Sequence, residues 1–332
     1  MKEIHSAFDS VVGQTEAKQL LTYSIQSGLN GGSMLSPLIK APAGVGKTKI
    51  STAYIDALEE GGFTVLRFSS PEEFRSEGEA YDQLVHTIVN ADKYAIFIDE
   101  VHLIDNRKTV RLEKVKAFLM KALDKENNGK AIRFDEENLV HFDRRRGSIV
   151  LATNFPDKLD KSGAFQSRCD MIDLKAYSED ELIEILQIML KDMNMQPANP
   201  ETLRAIAQTG RGTARPMKTI LDQIIMQFEA EGRDKRTINR KDVLNALRMC
   251  RIYPRGITPS ELMIMDFCKN PYRDNVVIAR FPNFDGASFR KSKSYLLSLG
   301  FVQQNADGVS TTARGFEYLK KLRESKMIDS IS

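Results

Sequence analysis

A glycine-rich run near the N-terminus has the residue types and spacing of a phosphate-binding loop. Residues 41–48 read APAGVGKT and lie between a predicted strand over 37–40 and a predicted helix over 47–58. Glycines allow backbone N–H groups to turn toward phosphate oxygens, and the start of a helix adds its positive end. The residues predicted to contact the phosphates are Pro42, Ala43, Gly44, Val45, Gly46, Lys47, Thr48 and Lys49.

An acidic pair at the end of an apolar run supplies the second half of a hydrolytic site. Residues 96–100 read IFIDE. Lys47 is expected to reach the β- and γ-phosphates, and Thr48 and Asp99 to bind Mg²⁺. Glu100 would polarise the attacking water as general base. A lone acidic pair often marks a solvated strand end, but beside the glycine-rich loop it indicates nucleotide hydrolysis, with ATP and Mg²⁺ as cofactors.

The elements that must position these groups alternate between strands and helices. This alternation over residues 37–174 is typical of an α/β fold, a parallel sheet with helices on both faces. Ligands bind such sheets at the carboxyl ends of the strands. Further strands are predicted at 63–68, 94–98, 148–152 and 171–174, and a helix at 81–89.

The pattern becomes helical from Ser178, which begins a capping-box arrangement. Pro254 and Gly256 then mark a linker, and residues 258–325 predict three helices, a short hairpin and a last helix. The bundle helices are predicted at 200–208, 215–231 and 240–251. The predicted domains are a nucleotide-binding domain over 1–176, a helical lid over 177–253 and a C-terminal domain over 254–332.

Composition excludes several classes of protein. With 332 residues, 42% of them hydrophobic and 28% charged, the chain can form real cores and is not disordered. It has no apolar run long enough to span a membrane and no signal-peptide pattern, and its three cysteines are far apart. We therefore expect a cytoplasmic protein without disulfides, zinc or a membrane partner. Residues 254–332 hold 12 Lys/Arg against 8 Asp/Glu, which permits nucleic-acid binding without requiring it.

With both nucleotide motifs in place, the sequence from about residue 8 to 319 resembles the AAA+ ATPases, and most closely the RuvB branch-migration motors. The resemblance implies that Val11 and Val12 pack on adenine and that Tyr177 lies nearby, at the start of the lid. It also implies that Asn154 faces the γ-phosphate as the residue called sensor 1, where RuvB usually has Thr. The usual first glycine of the loop is Ala41 in this chain.

Two arginines correspond to residues that sense or stabilise the γ-phosphate in this family. Residues 165–169, FQSRC, resemble the arginine-finger segment, in which Arg168 would reach into the site of a neighbouring subunit. Residues 211–216, RGTARP, resemble the Gly-Thr-Pro-Arg motif called sensor 2, with Ala214 in place of the proline and Arg215 as the sensor. A finger that acts on a neighbour implies self-assembly into a ring, expected to be a hexamer or another ring.

An inserted hairpin is predicted over residues 130–143, before sensor 1. In RuvB such a hairpin docks the partner RuvA, and in related proteins it faces a pore. Here it is polar and is followed by Arg144-Arg145-Arg146, so a RuvA-like partner, another protein partner and a solvated loop all remain open.

The C-terminal segment resembles the winged-helix domain of RuvB. The resemblance places a recognition helix over 286–296 and two wing strands over 299–303 and 308–314. Phosphates of duplex or junction DNA would then be contacted by Arg290, Lys291, Lys293 and Arg314. Winged helices also serve as protein-binding modules, so this reading remains an alternative.

The resemblance favours a ring-forming, ATP-driven DNA motor that translocates duplex DNA in Holliday junction branch migration or related recombination and replication. The alternative is an AAA+ clamp or helicase loader, a nucleotide-gated assembly factor, which the Ser167-Arg168-Cys169 run and Asn154 favour. A non-hydrolysing nucleotide sensor is disfavoured by Glu100. His102, two residues further along, either relays the nucleotide state or has an ordinary polar role.

Overall fold

A computed structural model describes residues 7–75, 79–105, 109–134, 138–159, 164–233, 237–281, 284–325 and 327. The chain divides into two compact units. The first holds residues 1–185 together with 212–214, and the second holds residues 186–211 and 215–332. The predicted division into three domains, at 176 and 253, stays a prediction.

The first unit is built on a five-stranded parallel sheet, which confirms the predicted α/β class. The strand order is β2-β3-β6-β1-β7. Every residue of β3 and β6 is buried, as expected for central strands covered on both faces. The strands are β1 (Pro37–Lys40), β2 (Thr64–Phe68), β3 (Tyr94–Ile98), β6 (Gly147–Thr153) and β7 (Asp170–Asp173).

Between β3 and β6 the chain forms the predicted hairpin from β4 (Ala131–Arg133) and β5 (Leu139–His141). Its inner face, which includes Phe134 and Phe142, is buried in the core of the first unit. The Phe134 ring lies 4.6 Å from that of Phe118. The helices of this unit are α1 (Thr15–Leu29), α2 (Lys47–Glu60), α3 (Glu79–Asn90), α4 (Val110–Ala122), α5 (Pro156–Leu159) and α6 (Ala164–Arg168).

Helix α7 (Glu179–Asp192) runs from the first unit into the second. The predicted capping box is present at its start, because Glu181 N donates to Ser178 Oγ and Ser178 N donates to Glu181 Oε2. The bundle helices are α8 (Pro200–Ala207), α9 (Arg215–Ala230) and α10 (Arg240–Met249), with a short parallel pair formed by β8 (Gln196–Pro197) and β9 (Thr237–Ile238).

Residues 257–322 pack around a hydrophobic core of their own. The elements follow the predicted order and are α11 (Pro259–Phe267), α12 (Asp274–Arg280), α13 (Gly286–Ser298), β10 (Val302–Asn305), β11 (Gly308–Thr311) and α14 (Ala313–Glu324). The first predicted wing strand began too early, because β10 starts at Val302, and the second was too long. It ends at Thr311 because Thr312 caps α14 by accepting a hydrogen bond from Gly315 N, so Arg314 lies in the first turn of a helix. Among the described residues, no helix is both long and apolar enough to cross a bilayer.

Candidate nucleotide site

The glycine-rich loop joins β1 to α2 as the sequence predicts. Gly44 and Gly46 have φ values of 85° and 87°, a left-handed conformation that a residue with a Cβ adopts only with strain. A Cβ on Gly46 would also collide with the hydroxyl of Tyr177. The loop therefore needs glycine at this position for two independent reasons. Val45 is fully buried and anchors the loop in the core.

Three predicted catalytic side chains form one polar chain at the carboxyl ends of the strands. Lys47, only 6% exposed, donates to the Ala41 carbonyl at 3.1 Å and to Asn154 Oδ1. Asn154 Nδ2 in turn donates to Glu100 Oε1 at 2.5 Å. Asn154 thus fixes the general-base candidate relative to the phosphate-binding lysine.

The two predicted metal ligands are also adjacent. Thr48 Oγ1 donates to Asp99 Oδ2 at 3.0 Å, and Asp99 Oδ1 accepts from Glu100 N at 2.8 Å. Among the described residues, no group of three or more His, Cys, Asp or Glu side chains could hold a metal by itself. Thr48 Oγ1 and Asp99 Oδ2 lie close enough together to be the one or two protein oxygens that Mg²⁺ commonly takes, with water and nucleotide phosphates completing its shell.

Glu100 has a strained backbone. Its φ is 48°, in the left-handed region, a conformation that costs about 1–3 kcal/mol for a residue other than glycine. Its second oxygen, Oε2, lies 3.2 Å from His102 Nδ1. The Thr153 hydroxyl also lies 3.2 Å from that nitrogen, and the His102 ring packs edge-on against Phe155. Burial lowers the pKa of His102, with Glu100 acting in the opposite direction, so the imidazole is neutral near pH 7.

The two segments predicted to contact the adenine base are both in the first unit, and hydrogen bonds join them. Val11 and Val12 are buried, and Tyr177 is 9% exposed. Gln14 Nε2 donates to the Lys175 carbonyl at 2.7 Å, and Lys175 N donates to Gln14 Oε1 at 3.1 Å. These two hydrogen bonds, from one side chain to one backbone unit, join the N-terminal segment to the segment that carries Tyr177. Lys49 is an exposed residue in the first turn of α2.

Arg168 is the last residue of α6, and its Nε donates to Asp124 Oδ2 at 3.2 Å. Its side chain remains 31% exposed. Sequence reasoning missed Asp124 because nothing local marks a partner 44 positions away. Arg215 is the first residue of α9 in the second unit. Ala214, just before it, donates its backbone N–H to the Gly44 carbonyl at 2.8 Å, a bond to the phosphate loop that sequence reasoning also missed.

The three arginines after the hairpin are engaged within the first unit. Arg144 is buried and pairs with Asp170 at 2.8 Å. Arg145 pairs at the surface with Asp143, and Arg146 donates to the carbonyls of residues 91 and 92. These charges therefore support the base of the hairpin. Residues 135–137 at its tip lie outside the described residues.

The predicted DNA-contacting residues differ in their surroundings. Arg290 and Lys291 on α13 and Arg314 on α14 are exposed. Lys293 is not, because its ammonium group pairs with Asp274 at 2.5 Å and lies over the Phe289 ring. A charge that is already paired with a carboxylate favours a packing role over contact with phosphate.

Comparison with known proteins agrees with this geometry. The model of the AAA family, the ATPase family associated with various cellular activities, matches residues 37–177. The Holliday junction branch migration complex subunit RuvB of Synechococcus sp. (strain CC9311) is 26% identical over 325 residues, covering 94% of this chain and 84% of that protein. The subunit from Leuconostoc mesenteroides is 23% identical over 324 residues, covering 95% and 87%.

Solved structures show the same fold. The Thermotoga maritima RuvB Holliday junction branch migration motor has a TM-score of 0.62 at 19% identity and covers 94% of this chain and 96% of that chain. The FIGL-1 AAA domain in complex with ADP has a TM-score of 0.55 at 18% identity, over 73% and 83%.

The loop, the acidic pair and the parallel sheet on which they sit lie in the part of the chain, residues 37–177, that matches the AAA family of ATPases, and the protein is an ATP hydrolase. Its similarity extends well beyond the AAA domain. Because the RuvB relatives match over nearly the whole chain, the protein is RuvB-like along nearly its full length, although it has diverged to 23–26% identity.

Proposed function

We propose that the chain is a ring-forming, ATP-driven motor that translocates duplex DNA, in Holliday junction branch migration or a related recombination or replication reaction. The proposal is supported by the combination of a hydrolytic site with a resemblance to RuvB that extends beyond that site. In the site, the general base Glu100, the sensor Asn154 and Lys47 form one hydrogen-bonded chain. The similarity to RuvB continues from this site through the basic C-terminal segment.

The chemistry follows from the positions of the side chains. Lys47 and the loop backbone bind the ATP phosphates, and Thr48 and Asp99 would hold Mg²⁺, which would neutralise charge on the phosphates. Glu100 accepts the proton of the attacking water, and Asn154 keeps its carboxylate oriented. Positioning and electrostatics supply most of the rate enhancement in this class of reaction.

Two arginines complete the proposed mechanism. Arg168, held by Asp124, reaches the site of the neighbouring subunit in the ring and offsets charge that develops on the γ-phosphate. Arg215 contacts the γ-phosphate of its own subunit. The ring, expected to be a hexamer, is therefore required for full activity.

We further propose that Arg290, Lys291 and Arg314 contact DNA phosphates, which gives affinity without sequence specificity. The outward face of the hairpin, with Leu139 58% exposed, would meet a RuvA-like or other protein partner. The cytoplasmic location inferred from the sequence stays a prediction.

The test is the rate of ATP hydrolysis at fixed salt, measured alone, with linear duplex and with a four-way junction. We expect DNA to stimulate the rate several-fold and Arg314→Ala to remove most of the stimulation. Arg145→Ala removes an equal charge from the surface of the first unit and should keep it. A wild-type rate indifferent to both DNAs would instead favour the clamp- or helicase-loader function, with a protein as trigger.

A further inference from the structure

Arg211 is held by a set of contacts that the nucleotide site does not require. Its guanidinium donates Nη2 to Glu261 Oε1 at 2.8 Å and Nη1 to Glu261 Oε2 at 3.1 Å, a bidentate pair. The Glu261 side chain is 1% exposed, so the charge of Arg211 is what balances a buried carboxylate. The guanidinium also lies 3.6 Å from the centre of the Tyr295 ring.

The partners of Arg211 belong to the C-terminal segment. Glu261 caps the start of α11 through a bond from Thr258 N at 2.9 Å. Tyr295 lies on α13 and donates its hydroxyl to the Arg255 carbonyl at 2.5 Å. Lys291, a proposed phosphate contact, is one helical turn before Tyr295 on the same helix. A movement of α13 would therefore act directly on the stacked guanidinium.

The residues that follow Arg211 belong to the first unit, where they contact the nucleotide site. The Gly212 carbonyl accepts from Tyr177 N at 2.9 Å, and Ala214 N donates to the Gly44 carbonyl of the phosphate loop at 2.8 Å. Proline, the usual residue of the RuvB motif at position 214, has no N–H and could not make the second bond. We call residues 211–214 the coupling strap.

We propose that Arg211 is a positioning residue that couples DNA contact at α13 to ATP hydrolysis through the coupling strap. Arg211 is fixed to α11 and α13 at one end of the strap, and Gly212 and Ala214 are bonded to Tyr177 and Gly44 at the other. The planar guanidinium group of Arg211 is essential, because a lysine would keep the charge but could form neither the bidentate pair with Glu261 nor the stack on Tyr295. This inference rests on the proposed DNA motor function.

The chain offers a matched control for a purely structural role. Arg233 makes the same kind of bidentate pair, with Asp242 at 2.8 and 3.5 Å, and its guanidinium lies 4.3 Å from the centre of the Phe228 ring. Asp242 is nearly as buried as Glu261, at 4% side-chain exposure, yet among the described residues 237–249 that follow Arg233 none has a backbone hydrogen bond to the phosphate loop. Arg211→Lys and Arg233→Lys should therefore cost similar stability and differ in coupling.

The experiment measures ATP hydrolysis by the full chain, without DNA and with saturating linear duplex at fixed salt, together with duplex affinity. For Arg211→Lys we expect the basal rate and the affinity to stay within about twofold of wild type. The several-fold stimulation by DNA should fall to less than about twofold, a loss within the usual range of an allosteric coupling. Arg233→Lys should keep the wild-type stimulation.

Tyr295→Leu, which removes the stacked ring from the other side, gives a second approach should Arg211→Lys fold poorly. It should lower the stimulation similarly, and the double variant should be no worse than either single variant, as expected for residues on one path. If Arg211→Lys keeps the wild-type stimulation, or if Arg233→Lys loses as much stimulation as Arg211→Lys, the coupling role is refuted while the motor function still stands. A wild-type enzyme that duplex does not stimulate overturns the motor function and the coupling together.

Discussion

Replacing Glu100 by Gln tests the assignment of the general base most directly. Gln has the same shape, can still accept the hydrogen bond from Asn154 Nδ2, and shares the strained φ of 48°. Folding and ATP binding should therefore change little. Only the ability to take a proton from water is lost. General-base catalysis contributes about 10²–10⁴-fold to a rate, which corresponds to about 2.7–5.5 kcal/mol of the activation barrier.

The assay is single-turnover hydrolysis of labelled ATP, with nucleotide affinity measured in parallel. We expect the hydrolysis rate to fall at least about 100-fold while the dissociation constant for ATP stays within about threefold. Glu60→Gln, an exposed change at the end of α2, should leave the rate unchanged. A Glu100→Gln enzyme that keeps a third of the wild-type rate would refute the role of Glu100 as base.

The same variant tests the ring. Each active site needs its own Glu100 and the Arg168 of a neighbour if the finger acts between subunits. Glu100→Gln and Arg168→Ala proteins should therefore be inactive alone and regain part of the activity when mixed, because some sites then hold both intact residues. Mixing without any recovery would argue against a finger that acts on a neighbour.

Two further predictions concern stability. Arg144→Ala should lower the free energy of unfolding by about 1.5–3 kcal/mol in denaturant titration because it removes a buried guanidinium from Asp170. The carboxylate of Asp170 keeps Lys125 at 3.2 Å and Ser36 N at 2.9 Å. Arg145→Ala, which removes an exposed guanidinium from Asp143, should cost less than about 1 kcal/mol. Equal losses would contradict the difference in burial. Because burial holds the pKa of His102 below its ordinary value of 6.5, the unfolded chain binds a proton first as the pH falls below about 6.5, and the folded state should lose stability there. The melting temperature should therefore drop less in His102→Gln than in wild type between pH 7.5 and 5.5, and an equal drop would refute the argument.

Features set by local signals could be predicted from the sequence. The glycine-rich loop, the strand that leads into Asp99 and the capping box at Ser178 each depend on residues a few positions apart. The alternation of apolar runs was enough for all five strands of the sheet and for the order of elements after residue 257. Helices α1 and α4 were not predicted, because their buried residues, such as Leu21 and Val115, are scattered among polar ones.

Features that depend on long-range packing could not be predicted. The three arginines after the hairpin cannot be told apart in the sequence, yet Arg144 is buried against Asp170 and its neighbour Arg145 is exposed. The placement of Arg314 on a strand was wrong because the capping bond of Thr312 starts a helix there. Lys293 likewise could not be distinguished from Lys291 until the fold brought Asp274 beside it.

Asn154 shows how a departure from the RuvB pattern can be matched to its surroundings. RuvB usually has Thr at this position, whose single hydroxyl lies on the β-carbon. The amide of Asn154 has a separate acceptor and donor, and the structure uses both, the oxygen for Lys47 and the nitrogen for Glu100. A threonine has a single hydroxyl oxygen, one bond closer to the backbone, and so does not offer two separate atoms to bridge an ammonium group and a carboxylate in this way. The substitution thus joins the phosphate-binding lysine to the general base through one side chain, so a change at the γ-phosphate that draws Lys47 away would also release Glu100 to meet the water.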